Sequence, residues 1–147
     1  MRPAGEIFGG RYSELRHFLR RLSSCREARA AIVTHAYGLV DGEEMISPYQ
    51  GYCEGGEIAA VESRHGIAAA VRSRCDEAEG VLVCLPRDLL EFLLDREVLP
   101  LEKCMVVAAP SLHPRLEGCS LLMERSGARL GKKNASKVLR ALDCDEK

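Results

Sequence analysis

The sequence predicts an α/β fold: a single small domain with a mostly parallel sheet of about three to five strands and helices on both faces. The continuous apolar segment 81–85 and the segment 103–109, which is apolar after Lys103, predict buried strands. Helical segments lie between and around them, and this alternation is typical of a parallel sheet. The length of 147 residues suits one domain, 1–147, with its own core.

Helical spacing of apolar residues predicts the helices. The pattern over 12–22 indicates an amphipathic surface helix, and 57–79 indicates a helix broken at Gly66. Residues 86–94 predict an apolar helix. A further buried strand is predicted at 30–34, just before a loop rich in acidic and aromatic residues.

The carboxyl edge of the predicted sheet collects polar side chains from three segments. These are 34–37, 85–88 and 109–113, each at the end of a predicted strand. Ligands of parallel α/β sheets bind outside the carboxyl ends of the strands, so we expect a binding cleft there. The candidate ligand-binding residues are Thr34, Tyr37, Gly38, Pro48, Tyr49, Arg87 and Ser111.

His35 and Glu44 are the candidate catalytic residues of this cleft. Histidine changes charge near neutral pH, so His35 can act as acid, base or ligand. Glu43 and Glu44 can orient it or hold a cation, and Arg87 can bind a carboxylate or phosphate. Plain structural roles also suit these residues: a hydrogen bond from His35 to a loop carbonyl, turn charges at the glutamates and a surface ion pair at Arg87.

Two further motifs have alternative interpretations. Tyr37, Tyr49 and Tyr52 either stack on a flat base or cap the core. Residues 127–133 resemble a phosphate loop only superficially, because three residues rather than four separate the glycines and no Ser or Thr follows the lysine. They predict a basic turn before the last helix.

The basic segment 125–142 is expected to pack on the domain or extend from it. Its helix is predicted to begin with Asn134 or Ser136 as the cap and to bury Val138, Leu139 and Leu142. Three side chains in and just before it are candidate nucleic-acid contacts: Arg129, Lys132 and Lys133.

Charge is distributed unevenly along the chain, although the net charge is only −1. Residues 1–30 carry seven Arg against three Glu, and residues 120–142 carry three Arg and three Lys against one Glu. The centre is correspondingly acidic. Two basic flanks form one positive face if they meet in space, and otherwise they are solvated helix faces.

Seven cysteines occur without any C-x-x-C pair, so the spacing of a structural zinc site is missing and no metal or cofactor is predicted. Buried thiols and one or two disulfides are both compatible with the sequence, and an odd count leaves at least one thiol free.

The composition resembles that of heat-adapted proteins. Arginine is more frequent than lysine, and the only residues with side-chain amides are Gln50 and Asn134.

The run 31–49, which contains Tyr37-Gly38-Leu39 and ends in Pro48-Tyr49, resembles a segment of YaaA-like peroxide-stress proteins and related small uncharacterised domains. A weaker similarity links it to archaeosine-synthase-type domains of tRNA modification. The resemblance implies an α/β fold with a cleft lined by Tyr37, Gly38, Glu44, Pro48 and Tyr49, and nucleic acid as the partner. Members of the family usually begin with a strand that leads into a Ser/Cys- and Lys-containing loop, which 1–5 does not show, so the resemblance does not imply an activity that needs that lysine.

Three functions remain open on these observations. The first is a cytoplasmic stress-response domain that binds a nucleotide or nucleic acid, and the second is an enzyme that acts on a nucleoside or base through His35 and Glu44. The third is a homo-oligomer whose interface is the apolar helix 89–94.

No apolar run approaches the roughly 20 residues of a membrane span, and 1–6 has no apolar signal region, so no membrane partner is expected.

Overall fold

The computed structural model describes most of the chain after residue 57 and shorter stretches before it. The described residues are 2–3, 11–24, 27–28, 31–34, 38–41, 45–46, 58–124 and 130–144. No helix in these ranges is both long enough and apolar enough to cross a membrane.

Seven strands, five α-helices and two 3-10 helices follow one another in this described part. The strands are β1 (Arg2–Pro3), β2 (Ala31–Thr34), β3 (Gly38–Asp41), β4 (Met45–Ile46), β5 (Val81–Cys84), β6 (Cys104–Ala108) and β7 (Leu121–Glu124). The α-helices are α1 (Arg11–Ser23), α2 (Ile58–His65), α3 (Ile67–Glu77), α4 (Arg87–Asp95) and α5 (Lys132–Ala141), and the 3-10 helices are Leu101–Lys103 and Pro110–Leu116.

A three-stranded parallel sheet with the order β5, β6, β7 lies at the centre of the fold. It confirms the α/β class and the two strands predicted from continuous apolar segments. The middle strand is buried along its whole length. Its residues alternate between the two faces of the sheet, since Met105 and Val107 join one hydrophobic cluster while Cys104, Val106 and Ala108 join another.

Helices α1 and α5 cover one face of this sheet. Phe18 of α1 and Val138 and Leu139 of α5 share a cluster with Met105 and Met123 from the strands. The basic C-terminal helix therefore packs on the domain. The packing also places α1 and α5, the described helices of the two basic segments, on the same face of the sheet, as a single positive face requires.

Helix α4 and the second 3-10 helix cover the opposite face. Leu90 of α4 and Leu112 and Leu116 of the 3-10 helix pack against Val83 and Val106. The other side of α4 is buried as well, because it packs against α2 and α3. This second cluster consists of Ile58, Val61, Ile67, Ala68, Leu89, Leu93 and Val98.

The apolar helix 89–94, for which the sequence also allows a subunit interface, packs inside the single chain. Leu89, Leu90 and Leu93 are between 0 % and 2 % exposed within the single chain. Their apolar surface is already used in the core on both sides of α4, so it is not available for a second subunit.

The predicted break in the helix over 57–79 is confirmed at Gly66. This residue has φ 68°, a left-handed conformation that glycine adopts without steric cost, and it separates α2 from α3. The carboxylate of Glu62 accepts a hydrogen bond of 3.0 Å from the backbone N–H of Ala68. Glu62 therefore caps the start of α3 from the preceding helix.

The strand predicted at 30–34 is present but lies in a different sheet from the one expected. β2 pairs antiparallel with β3, with Ala31 opposite Asp41 and Thr34 opposite Gly38. Only three residues connect the two strands, and a parallel crossover needs a dozen or more. The end of β2 is thus not a strand end of the parallel sheet, and β3 lies beside α2 and α3 instead.

Candidate functional site: the carboxyl edge of the parallel sheet

Three adjacent strands end at the same edge of the parallel sheet. In the strand register Cys84 lies opposite Val107, and Ala108 lies opposite Glu124. A helical segment begins shortly after each strand: α4 after β5, the second 3-10 helix after β6, and α5 after β7. This edge is where ligands of parallel α/β proteins bind.

The helix that follows β7 brings two lysines to this edge. Lys132 and Lys133 occupy the first turn of α5, are exposed and form no ion pair with any described residue. No described side chain caps this helix N-terminus, where Gly131 at φ 81° serves as the N-cap residue. Lysine is unfavourable at the positive end of a helix dipole, so the helix N-terminus and the two ammonium groups together favour a bound anion.

Asn134 fixes the position of this helix end. Its side chain is 5 % exposed, and its amide nitrogen donates a hydrogen bond of 3.0 Å to the backbone carbonyl of Glu124, the last residue of β7. The sequence predicts Asn134 or Ser136 as the helix cap, but the helix already begins at Lys132. The asparagine is thus not a cap, because its amide makes a tertiary contact that holds α5 at the sheet edge.

Arg87 and Ser111 follow the other two strands and are both exposed. Nε of Arg87 donates to the Glu91 carboxylate at 2.8 Å, one helical turn further along α4. This contact is the surface ion pair that the sequence allows as the structural alternative to anion binding by Arg87. An exposed pair of this kind contributes less than about 1 kcal/mol, so it does not prevent the guanidinium from binding an anion.

His113 also lies at this edge, with a structural contact. Its Nε2 is 3.0 Å from the carbonyl oxygen of Ala108, the last residue of β6. A carbonyl oxygen only accepts hydrogen bonds, so Nε2 must carry the proton and donate. The ring therefore supports the turn after β6.

Other candidate residues are not brought to this edge by the parallel sheet or lie outside the described residues. Thr34 and Gly38 form the last pair of the β2–β3 hairpin. The remaining candidates lie outside the described residues: His35, Tyr37, Glu44, Pro48, Tyr49 and Arg129. Their proposed roles stay predictions.

No protein-family model, curated protein or solved structure matches this chain. The resemblance to YaaA-like proteins therefore stays a prediction. The geometry of the sheet edge is the basis for assigning a function.

The cysteines that the structure describes divide into four thiols and one disulfide-bonded residue. Cys75, Cys84, Cys104 and Cys119 are thiols, and Cys144 is disulfide-bonded. Burial raises the pKa of the thiols of Cys75, Cys104 and Cys119, so these three are poor nucleophiles. Within the described ranges no three His, Cys, Asp or Glu side chains gather as a metal site.

Cys104 makes stability depend on pH in the alkaline range. Burial, with a smaller contribution from the nearby Cys75 thiol, raises the pKa of Cys104 from 9.0 to about 12. The unfolded chain releases this proton near the lower value, so the stabilisation is complete below about pH 9 and is lost as pH rises toward 12. We expect the unfolding free energy to fall there by about 1.4 kcal/mol per pH unit from this thiol.

Urea unfolding between pH 8 and pH 11 measures this effect, with pH values chosen on either side of the ordinary thiol pKa of about 9. Cys104→Ala is expected to show a shallower decline than the wild type. Equal slopes for the two proteins would contradict the assignment to Cys104.

A groove of about 560 Å³ lies between α2 and α4, away from the lysines. Three of the four carboxylates that line it have partners within the chain: Asp95 pairs with Arg115 at 2.8 Å, Glu91 pairs with Arg87 at 2.8 Å, and Glu62 accepts a hydrogen bond from the Ala68 N–H. The Arg96 guanidinium lies 4.6 Å from the Phe92 ring centre on the groove wall. These contacts largely neutralise the groove, and we assign them a structural role.

Proposed function

We propose that this protein binds a nucleotide or nucleic acid through the phosphate groups, at the carboxyl edge of the parallel sheet. The observation that carries the proposal is the pair of lysines, Lys132 and Lys133, in the first turn of α5, where no described side chain caps the helix or forms an ion pair with them. Asn134 holds that turn against the end of β7. Backbone N–H groups and lysines that converge on one point suit a phosphate oxygen.

The surrounding charge favours nucleic acid over a single phosphate. Exposed Lys137 and Arg140 continue the positive charge along α5, and exposed Arg20 extends it to α1 on the same face of the sheet. A strip of positive side chains is the usual footprint of a polyanion. The resemblance of 31–49 to YaaA-like and archaeosine-synthase-type proteins supports the same kind of partner.

The strand geometry suits a ligand with more than one contact point. Neighbouring strands are about 4.8 Å apart, so the ends of β5 and β7 are separated by about 10 Å. Arg87 follows one outer strand and Lys132 follows the other. A phosphodiester backbone can contact both, with exposed Ser111 between them as a hydrogen-bond donor.

The test is salt-dependent binding to single- and double-stranded oligonucleotides, measured by fluorescence anisotropy. Replacing Lys132 and Lys133 together by alanine should weaken binding about tenfold at low salt and reduce the slope of log K against log salt by about 2.

The matched control removes two positive charges from the other side of the fold. Arg64 and Arg72 are exposed residues of α2 and α3 and lie outside the proposed contact region. Their double alanine variant should bind like the wild type. Equal losses in the two double variants would indicate a non-specific charge effect, and no binding by the wild type at low salt would refute the proposed function.

A further inference from the structure

Two thiols lie beside each other where β6 and β7 begin, at the amino edge of the parallel sheet. Cys104 is the first residue of β6, and Cys119 lies in the turn that leads into β7. The backbone N–H and the side-chain hydroxyl of Ser120 both donate to the carbonyl of Cys104, at 2.9 Å and 3.0 Å. These two hydrogen bonds hold the backbone of the Cys119 turn against the start of β6.

The side chains of the two cysteines belong to the same part of the core. Cys104 is a member of the hydrophobic cluster that contains Val106 and Leu116, and Cys119 packs against this cluster. Neighbouring strands are about 4.8 Å apart, within the roughly 4.4 to 6.8 Å between Cα atoms that a disulfide joins. A bond between the two sulfurs therefore needs little movement of the backbone.

Solvent reaches the two thiols unequally. Cys104 is 0 % exposed, whereas Cys119 is half-buried, so a dissolved oxidant meets Cys119 first. Cys75, near the end of α3, is also close enough to influence the charge on Cys104, but it is only 4 % exposed. An oxidised sulfur is therefore presented to Cys104 from the side of Cys119.

We propose that Cys104 and Cys119 form a site of reversible oxidation, at which a small-molecule disulfide converts the two thiols into a bridge between β6 and the turn before β7. The site lies at the opposite edge of the sheet from Lys132 and Lys133. It therefore does not depend on the proposed function, and oligonucleotide binding does not test it.

The reaction is a pair of thiol–disulfide exchanges. The Cys119 thiolate attacks one sulfur of the small disulfide, whose S–S bond breaks, and one small thiolate leaves. The Cys104 thiolate then attacks the Cys119 sulfur of the mixed disulfide and expels the second small thiolate. The protein loses two electrons and two protons, and the small disulfide gains them as two thiols.

Both exchanges are slow near neutral pH, because a thiolate rather than a thiol attacks a disulfide. Burial raises the pKa of Cys119, although backbone hydrogen bonds oppose it. Burial also raises the pKa of Cys104; the neighbouring Cys75 and Glu102 add to this effect and the Lys103 ammonium opposes it. The thiolate fraction grows with pH below the pKa, so the bridge should form at least tenfold faster at pH 9 than at pH 7.

Peptide mapping of the full-length protein after incubation with hydroxyethyl disulfide at pH 9 tests the site. Trypsin cleaves after Lys103 and Arg115, so the two cysteines fall in separate peptides, 104–115 and 116–125. Under non-reducing conditions we expect these two peptides to be linked, and excess dithiothreitol should separate them. Cys119→Ser should give no link to 104–115, whereas Cys75→Ser should give the same link as the wild type.

Stability at alkaline pH gives a second readout, because a bridged Cys104 has no proton to release. The oxidised wild type should therefore show a shallower decline in stability between pH 8 and pH 11 than the untreated protein. The crosslink should also lower the unfolding equilibrium constant by roughly a hundredfold, since it closes the loop 105–118 in the unfolded chain. Urea unfolding measures both effects.

The wild-type map decides the question even if Cys119→Ser does not fold. A map in which Cys119 is unmodified or carries only the small mixed disulfide would overturn the site. A link from 104–115 to 75–87, the peptide that contains Cys75, would overturn it as well.

Discussion

Replacing Leu93 by alanine is expected to lower the free energy of unfolding by about 3 to 4 kcal/mol. The side chain is 0 % exposed and lies where α4 packs against α2 and α3, in the same cluster as Val61, Ile67 and Val98. The substitution removes the transfer free energy of three carbon atoms and leaves a cavity that rigid helices fill only in part. Buried Leu→Ala changes cost about 2 to 5 kcal/mol for these two reasons.

The neighbouring Leu94 provides a matched comparison. It belongs to the same helix but is half-buried and packs toward the sheet, so Leu94→Ala should cost about 1 to 2 kcal/mol. Urea unfolding followed by circular dichroism measures both variants. A loss for Leu93→Ala below that for Leu94→Ala would show that α2 and α3 do not form a tight layer on α4.

Much of the central sheet can be predicted from the sequence because strands buried on both faces have a direct signature. β5 and β6 are continuous apolar segments with helices around them, and few folds besides a parallel sheet produce this pattern. β7 has a weaker signature, since only three apolar residues precede Glu124. It becomes a strand through pairing with β6, a contact between distant parts of the chain that no local pattern encodes.

The assignment of β2 to the parallel sheet was wrong, and the reason can be read from the local sequence. Residues 31–33 are apolar like β5 and β6, and this pattern predicts a strand without specifying its partner. The decisive feature is the connection of three residues to Gly38, which permits a hairpin and excludes a parallel crossover. Connection length, rather than hydrophobic pattern, determines which sheet a short strand joins.

The candidate site illustrates the same limit. Lys132 and Lys133 are recognisable as basic residues in the sequence, and the proximity of their helix to the end of β7 follows only from the fold. Arg87 and Ser111 come to the same edge because β5 and β6 are neighbours in a parallel sheet, which the sequence does predict. The contribution of Asn134 could not be predicted, since an asparagine near the start of a helix ordinarily indicates a cap.

Asn134→Asp is the second substitution with a large expected effect, about 2 to 4 kcal/mol of lost stability at pH 7. Asn134 is the one buried polar side chain among the residues that the structure describes, and its amide donates to the Glu124 carbonyl. An ionised aspartate has no donor and places negative charge against that carbonyl oxygen in a site that is 5 % exposed. The helix dipole at this end offsets only about 0.3 to 1 kcal/mol.

The pH dependence separates this charge effect from simple loss of a hydrogen bond. A protonated aspartic acid can donate to the Glu124 carbonyl, so the folded state should raise the pKa of the introduced carboxyl above its unfolded value of about 3.9. The bond is then present below about pH 4 and lost as pH rises through the folded pKa. Relative to the wild type, Asn134→Asp should be markedly less stable at pH 7 than at pH 4.

Asn134→Ala provides the control, because it removes the donor without adding a charge. It should cost about 1 to 3 kcal/mol by a similar amount at both pH values. Urea unfolding of the three proteins at the two pH values gives the comparison, and oligonucleotide binding by the folded fraction should weaken in both variants as the lysine-bearing turn loses its anchor. Greater stability of Asn134→Asp than of Asn134→Ala at pH 7 would mean that the helix dipole and Lys132 and Lys133 outweigh burial, and that this turn tolerates a buried anion.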